Sequence, residues 1–234
     1  MSNFDLSNVP YFIFNNVNSR NLGILVKELP PITKAEKDIE TINLKGTNKT
    51  LHIDYESYKS KTYKITCILT DESKIDLIKK TFDSIGIFEV STEPDIKYNA
   101  CICNQIDFSK YLKYLKEFIL IFELDPIGYK DATSSTFTQS TSDFDGHSGN
   151  VDTYPTITIT GIGTITLNNC QIQVLETGIT IDCELMNCTK NGLNKNDKVI
   201  CDDFPVIHPG TGSNNITFGE GITQVVLSTK AGYL

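Results

Sequence analysis

The chain has 234 residues, 21 Lys+Arg against 29 Asp+Glu for a formal net charge of −8, no Trp and seven Cys. Such an acidic balance makes a poor grip on nucleic acid, which needs clustered Lys and Arg to neutralise phosphates. No stretch reaches the roughly 18 apolar residues of a membrane helix. Met1 to Asp5 carries neither a basic stretch nor an apolar segment of secretory type, so a soluble protein made and kept in a cytoplasm is expected. In that setting the odd set of cysteines at 67, 101, 103, 170, 183, 188 and 201 reads as reduced thiols in strands.

The length suits one large all-β unit or two ordinary domains, either of which buries a real core. Charge favours two. Met1 to Lys130 holds 17 Lys+Arg against 18 Asp+Glu, while Asp131 to Leu234 holds 4 against 11, giving −1 and −7.

In chain order, Tyr11 to Ser19 is an aromatic, Asn-rich stretch, and Lys45 to Leu51 is a candidate turn around Gly46, followed by Tyr58-Lys59. Lys61 to Thr70 alternates, placing Tyr63, Ile65, Cys67 and Leu69 on one face of a half-buried strand. A helix follows: Thr70 or Asp71 can cap it, Ile75, Ile78, Phe82 and Ile85 recur at spacings of three and four, and Gly86 supplies a stop. That stripe is core packing before it is a partner-binding face. Strand character resumes at Ile87 to Val90, at Glu93-Pro94-Asp95 leading into Tyr98, and on to Ile106. Phe108 to Leu124 fits helix or strand; Phe118 to Phe122 favours a strand for its later half, closing at Pro126.

A boundary is expected after Pro126 to Tyr129, dividing 1–129 from 130–234. Asp131 to Gly149 is nearly all Ser, Thr, Asp, Gly and Gln, suited to a linker or an edge strand. Beyond it, Thr156 to Thr160, Gly163 to Leu167, Gln171 to Leu175, Gly178 to Asp182, Asn214 to Phe218 and Thr223 to Ser228 read as short strands of an antiparallel sandwich or jelly roll.

Several features imitate catalytic or binding sites. Asp182 with Glu184, or Asp202 with Asp203, could be a glycosidase acid and nucleophile, but solvated acidic pairs sharing a strand face are commonplace. Cys101-x-Cys103 has no second ligand pair at zinc spacing. His52, His147 and His208 are placed in loops or strand ends, without a nucleophile elbow to recruit them. Gly161-Ile162-Gly163 leads into a strand, so it is read as a hairpin and not a phosphate loop. The sequons at Asn48, Asn187 and Asn215 are chance matches without secretion. No cofactor and no metal are expected.

Ile181 to Phe218 carries the most informative order of residues: Asp182 and Glu184, then Asp203-Phe204-Pro205, Pro209-Gly210, a polar turn at Gly212 to Asn215, and a new alternating run. Together with Pro155 before Thr156 to Gly161, Phe14 in the first strand, Gly46, Tyr58, Pro94 before Tyr98, and Phe122 before Pro126, this order resembles the distal tail (Dit) family of siphophage baseplate hubs over nearly the whole chain. The resemblance implies a mainly β chain with one α-helix: an N-terminal belt domain, a β-barrel or sandwich plus helix, followed by a galectin-like β-sandwich.

It further implies an assembly part of the virion and not an enzyme. Such a part forms a homo-hexameric ring at the distal end of a phage tail, made in the host bacterial cytoplasm. Its partners would be the tail-tube protein, the tail-associated hub protein, the tape-measure protein, and a receptor-binding protein or its adaptor. DNA would pass through the lumen without specific binding, and no membrane insertion is implied. The chain has no room for a large carbohydrate-binding insertion. The rival reading is a carbohydrate-binding module for host adhesion. It wants exposed aromatics, and the second half offers only Phe137, Phe144, Tyr154, Phe204, Phe218 and Tyr233.

Overall fold

The computed structural model describes residues 9–102, 104–106, 109–112 and 115–234, with the backbone alone at 109–112 and 115–116. The Met1 to Asp5 segment, Cys103 and Phe108 lie outside the described residues. The chain divides into two compact units, 1–128 with 234, and 129–233.

In the first unit an antiparallel sheet runs in the order Val17–Asn18, Phe12–Phe14, Gly86–Val90, Glu93–Ile102, Leu115–Leu124, Lys61–Leu69, Ile24–Glu28. Its first hairpin turns on Asn15 and Asn16, both at positive φ (48° and 63°). Their short polar side chains tolerate that region, and its twist matches the flanking strands. Along Lys61–Leu69 every second residue is buried, so Tyr63, Ile65, Cys67 and Leu69 face the core as the alternation predicts. The described residues of the ambiguous 108–124 segment are extended: Ser109–Leu112 pairs antiparallel with Leu115–Leu124, which also takes its place inside the sheet.

The core gathers phenylalanines from strands far apart in sequence. Phe122 lies 5.5 Å from Phe12, 5.7 Å from Phe14, 6.0 Å from Phe82 and 4.6 Å from Phe88 between ring centroids. Tilted and edge-on aromatic pairs in that range add to the area buried. The helix of this unit packs one side onto them. Asp71 caps as expected, accepting from the Ser73 amide at 3.0 Å. The first turn is a 3-10 helix, Glu72–Lys74, and the α-helix proper is Ile75–Thr81. Two expectations fail at its end. Ile85 is 80% exposed and outside the apolar stripe, and Gly86 does not stop the helix but opens the strand Gly86–Val90. The reason is local: the Asn15 side chain lies over Gly86, where a Cβ would meet its Oδ1 at 2.1 Å, and that oxygen accepts from the Ile87 amide. Gly86 is thus required by a close approach, not by a helix cap.

The second unit is a β-sandwich. One sheet is ordered Thr133–Phe137, Ile222–Thr229, Thr156–Gly161, Ile179–Asp182, Asn187–Lys190, Leu193–Asn194; the other Thr141–Phe144, Asn214–Phe218, Gly163–Leu167, Cys170–Val174, Val199–Cys201. Ile157, Ile159, Ile179, Ile181, Val225 and Leu227 from the first meet Ile165, Leu167, Ile172, Val174 and Ile216 from the second. The polar stretch after Asp131 supplies two strands, Thr133–Phe137 and Thr141–Phe144, at the edge of each sheet.

Gly161 and Gly163 are not hairpin residues. Thr156–Gly161 and Gly163–Leu167 belong to different sheets, so the chain crosses between sheets at Ile162 and crosses back at Gly219 to Gly221. The two crossings touch. A Cβ on Gly161 would meet the Gly221 carbonyl oxygen at 2.2 Å, and one on Gly221 the Ile162 oxygen at 2.1 Å, with φ of 118° and 85°. Only glycine fits such an approach of two backbones.

The Phe122→Ala variant is expected to lose about 3–5 kcal/mol of stability through lost burial and a residual cavity. Ile85→Ala is expected to change it by less than about 0.5 kcal/mol. Urea titrations of both variants check the pair, and equal losses would contradict this view of the core.

Candidate interaction surface

Residues 37–58 fold into a two-stranded antiparallel sheet, Lys37–Asn43 with Thr50–Tyr58, that pairs with no other strand among the described residues. The register sets Glu40 opposite Ile53, Ile42 opposite Leu51, and Thr41 opposite His52. Because side chains alternate, the two faces differ. One carries Ile42, Leu44, Leu51, Ile53 and Tyr55, the Tyr55 hydroxyl donating to Glu40. The other carries Ile39, 42% exposed, with Thr41, Asn43, Thr50, His52 and Asp54, stitched by Thr41 to His52 at 3.2 Å and Thr50 to Asn43 at 3.4 Å. Lys37 pairs with Asp54; this hydrogen bond raises the lysine pKa and lowers that of the carboxyl.

The apolar face is open. Ile42 is 37% exposed, Leu44 45%, Leu51 46% and Tyr55 53%. An isolated hairpin is marginally stable in water at best, and an uncovered apolar sheet face marks an interaction site. Sequence reading found only the turn, in which Gly46 stands at φ 83° with open space about it. The alternation of the second strand, Leu51-His52-Ile53-Asp54-Tyr55, was the missed signal; in the first strand Ile39 and Ile42 fall on opposite faces. His52 sits inside the strand Thr50–Tyr58, not at a loop or strand end.

The remaining motif positions are mostly structural. Phe14, Tyr98 and Phe122 are core residues, Tyr58 is half-buried opposite Lys37, and Pro94 is exposed beside Asp95 at φ 68°. Pro126 is half-buried after the strand Leu115–Leu124, and Pro155 and Pro205 are buried. Phe204 packs against the sandwich core, and Gly210, at φ 97°, turns an exposed loop.

The acidic pairs do not form sites. The strand ends at Asp182, whose Oδ1 accepts from the Leu185 amide at 3.0 Å, and Glu184 lies in the following turn, 3.9 Å from Lys230. The expected shared strand face is therefore absent, because the chain turns before Glu184. Asp203 accepts from the Phe204 amide at 2.7 Å. Among the described residues no cluster of three or more His, Cys, Asp or Glu has metal-binding geometry. Cys101-x-Cys103 extends outside the described residues at Cys103. Burial pushes the Cys67 and Cys183 thiols up to about 12 and Cys188 up to about 11. Four phenylalanines of the second unit are committed inward: Phe137 and Phe144 pack at 4.8 Å and, with Phe204 and Phe218, lie against the core, while Tyr154 is 48% exposed and Tyr233 half-buried.

No family model and no curated protein matches this sequence. The crystal structure of the SPP1 Dit (gp 19.1) protein, described as a paradigm of the hub adsorption apparatus in phages infecting Gram-positive bacteria, is similar to it at a TM-score of 0.80 and 15% identity. The match covers 97% of this chain and 100% of that one. The chain therefore has the Dit fold over the matched 97% of its length. No helix among the described residues is long and apolar enough to cross a membrane.

The raised thiol pKa values mean that Cys67, Cys183 and Cys188 carry almost no thiolate at neutral pH. Mass mapping after brief iodoacetamide treatment of the folded protein is expected to leave these three unmodified and to label all three in urea; rapid native labelling would contradict their burial.

Proposed function

We propose that the chain is a distal tail protein, a non-enzymatic structural component at the tip of a phage tail. The carrying observation is the Dit fold over 97% of the chain, reached independently by the ordered motifs of the sequence. In this reading residues 1–129 form the belt of a homo-hexameric ring, and 130–234 form a galectin-like sandwich outside it.

The hairpin 37–58 supplies a physical reason for assembly. A closed ring needs two different complementary surfaces on each protomer. The face of Ile42, Leu44, Leu51, Ile53 and Tyr55 is one, and burying it on a neighbouring copy removes apolar area from water at roughly 25 cal/mol per Å². The opposite face, mainly hydroxyl, amide, imidazole and carboxylate groups beside Ile39, can then meet water. The strand Ile24–Glu28 ends its sheet with one side unpaired among the described strands, and edge pairing across subunits is a second means of contact.

The ring would join the tail-tube protein on one side and the tail-associated hub protein on the other. The tape-measure protein and DNA would pass through its lumen, and host contact would be left to a receptor-binding protein or its adaptor. The acidic balance supports passage without binding, since a lumen with few basic clusters does not retain phosphate.

The purified protein is expected to form sixfold rings, single or stacked in pairs, by mass photometry and negative-stain imaging. Leu51→Glu combined with Ile53→Glu is expected to shift it to monomer while far-ultraviolet circular dichroism stays unchanged. A strictly monomeric wild type up to near-millimolar concentration, or rings undisturbed by the double variant, would contradict the assignment. With assembled rings, a fluorescence polarisation titration is expected to show no duplex-DNA binding at physiological salt; salt-sensitive binding at micromolar protein would contradict the passage role.

A further inference from the structure

Within the second unit, His147 is a titratable side chain that the assembly role does not use. It is only 8% exposed, in the loop following Thr141–Phe144. Its Nδ1 accepts from the Gly149 amide at 3.2 Å, so the neutral ring carries its proton on Nε2. Nε2 is buried with no hydrogen-bond partner among the described residues, the Ile207 backbone favours a charged ring, and the residue lines a cavity of about 40 Å³. The cavity is lined by Thr133, Ser135, Thr229 and Asp145 as well as His147.

The same loop fastens three segments. The Gly146 amide donates to the Gly210 carbonyl at 2.8 Å, and Gly210 donates back to the His147 carbonyl at 3.2 Å. The Asn150 amide donates to the Gly232 carbonyl at 2.9 Å, and Ser148 meets the Tyr233 hydroxyl at 2.8 Å. The approach is tight: a Cβ on Gly146 would meet the His208 carbonyl oxygen at 1.8 Å, and one on Gly149 the Gly232 oxygen at 2.1 Å. Small movements of this loop are therefore passed to both 207–214 and 232–233.

We propose that His147 is an acid-sensitive latch: protonation of Nδ1 turns the acceptor it offers to the Gly149 amide into a second donor and loosens 145–150 from 207–214 and from Gly232-Tyr233. The proton comes from solvent and goes to Nδ1, with no other bond changed. The groups facing the ring favour and oppose this differently. Asp145 is engaged with the Gly212 amide at 3.0 Å, and Asp152, which favours a charged ring, is paired to His208 at 3.0 Å. The strands Thr133–Phe137 and Ile222–Thr229 present Thr133, Ser135, Leu227 and Thr229, none charged. Burial is the largest influence and holds the pKa of His147 below its ordinary value of 6.5. With a lowered folded-state pKa the latch is fully closed above the unfolded value and weakens as pH falls from 6.5 toward the folded value.

Hydrogen exchange on the full chain, corrected for the intrinsic effect of pH, tests this at about pH 7.5 and about pH 5. Protection of 145–150, 207–214 and 232–233 is expected to fall several-fold at the lower pH. His147→Asn keeps an acceptor near the Nδ1 position without a titrating charge and is expected to abolish the pH response, whereas His208→Asn retains it. Unchanged wild-type protection, a His147→Asn variant as pH-sensitive as wild type, or loss of the response in His208→Asn alone would overturn the proposal. Should His147→Asn not fold, nitrogen-15 spectra of the wild-type ring decide: a proton on Nδ1 at neutral pH, or titration of His147 with no change in Gly149 exchange, overturns it.

Discussion

A two-stranded sheet with one apolar face cannot supply its own core. Residues 37–58 have a well-matched register and cross-strand polar links, yet Leu44, Leu51 and Tyr55 remain about half exposed. Exposed ion pairs such as Lys37–Asp54 and Lys59–Glu36 add little to stability in water. Cover for the apolar face has to come from outside the hairpin. The proposed ring follows from this constraint: each copy offers an open sheet face and receives another, and burial makes the hairpin and the assembly stable together.

The rest of each unit needs no such help. The first has Phe122 amid four other phenylalanine rings, and the second has isoleucines, leucines and valines from two sheets meeting face to face. The backbone crossings at Gly161 and Gly221 tie those sheets where ordinary residues would collide. The two scaffolds thus bury their apolar residues within themselves, whereas the hairpin leaves an apolar face open.

What the sequence revealed depended on period. Lys61–Leu69, Thr156–Gly161, Gly163–Leu167 and Asn214–Phe218 alternate because one face of each is buried, and they were legible nearly to the residue, whereas Asn187–Lys190, Leu193–Asn194 and Val199–Cys201, short and polar or partly exposed, were not. The helix was legible at its cap and along Ile75, Ile78 and Phe82, but its end was hidden: Gly86 is explained by the Asn15 side chain, more than seventy residues upstream. Gly161-Ile162-Gly163 misled for the same reason, since glycine marks both hairpins and close crossings. Asp182 and Glu184 looked like a strand pair because the turn that separates them contains no Gly or Pro. The second hairpin strand alternates too, while the first puts Ile39 and Ile42 on opposite faces, and an uncovered apolar face gives no signal of what covers it.

Hydrogen exchange across 37–58, followed against protein concentration, tests this account most directly. If the hairpin is completed by neighbouring copies, its amides exchange rapidly in the dilute monomer and become protected in step with ring formation, while the strand Lys61–Leu69 is protected throughout. Equal, strong protection of 37–58 at concentrations where the protein is monomeric would show that the hairpin is stable alone and would contradict the claim that it drives assembly.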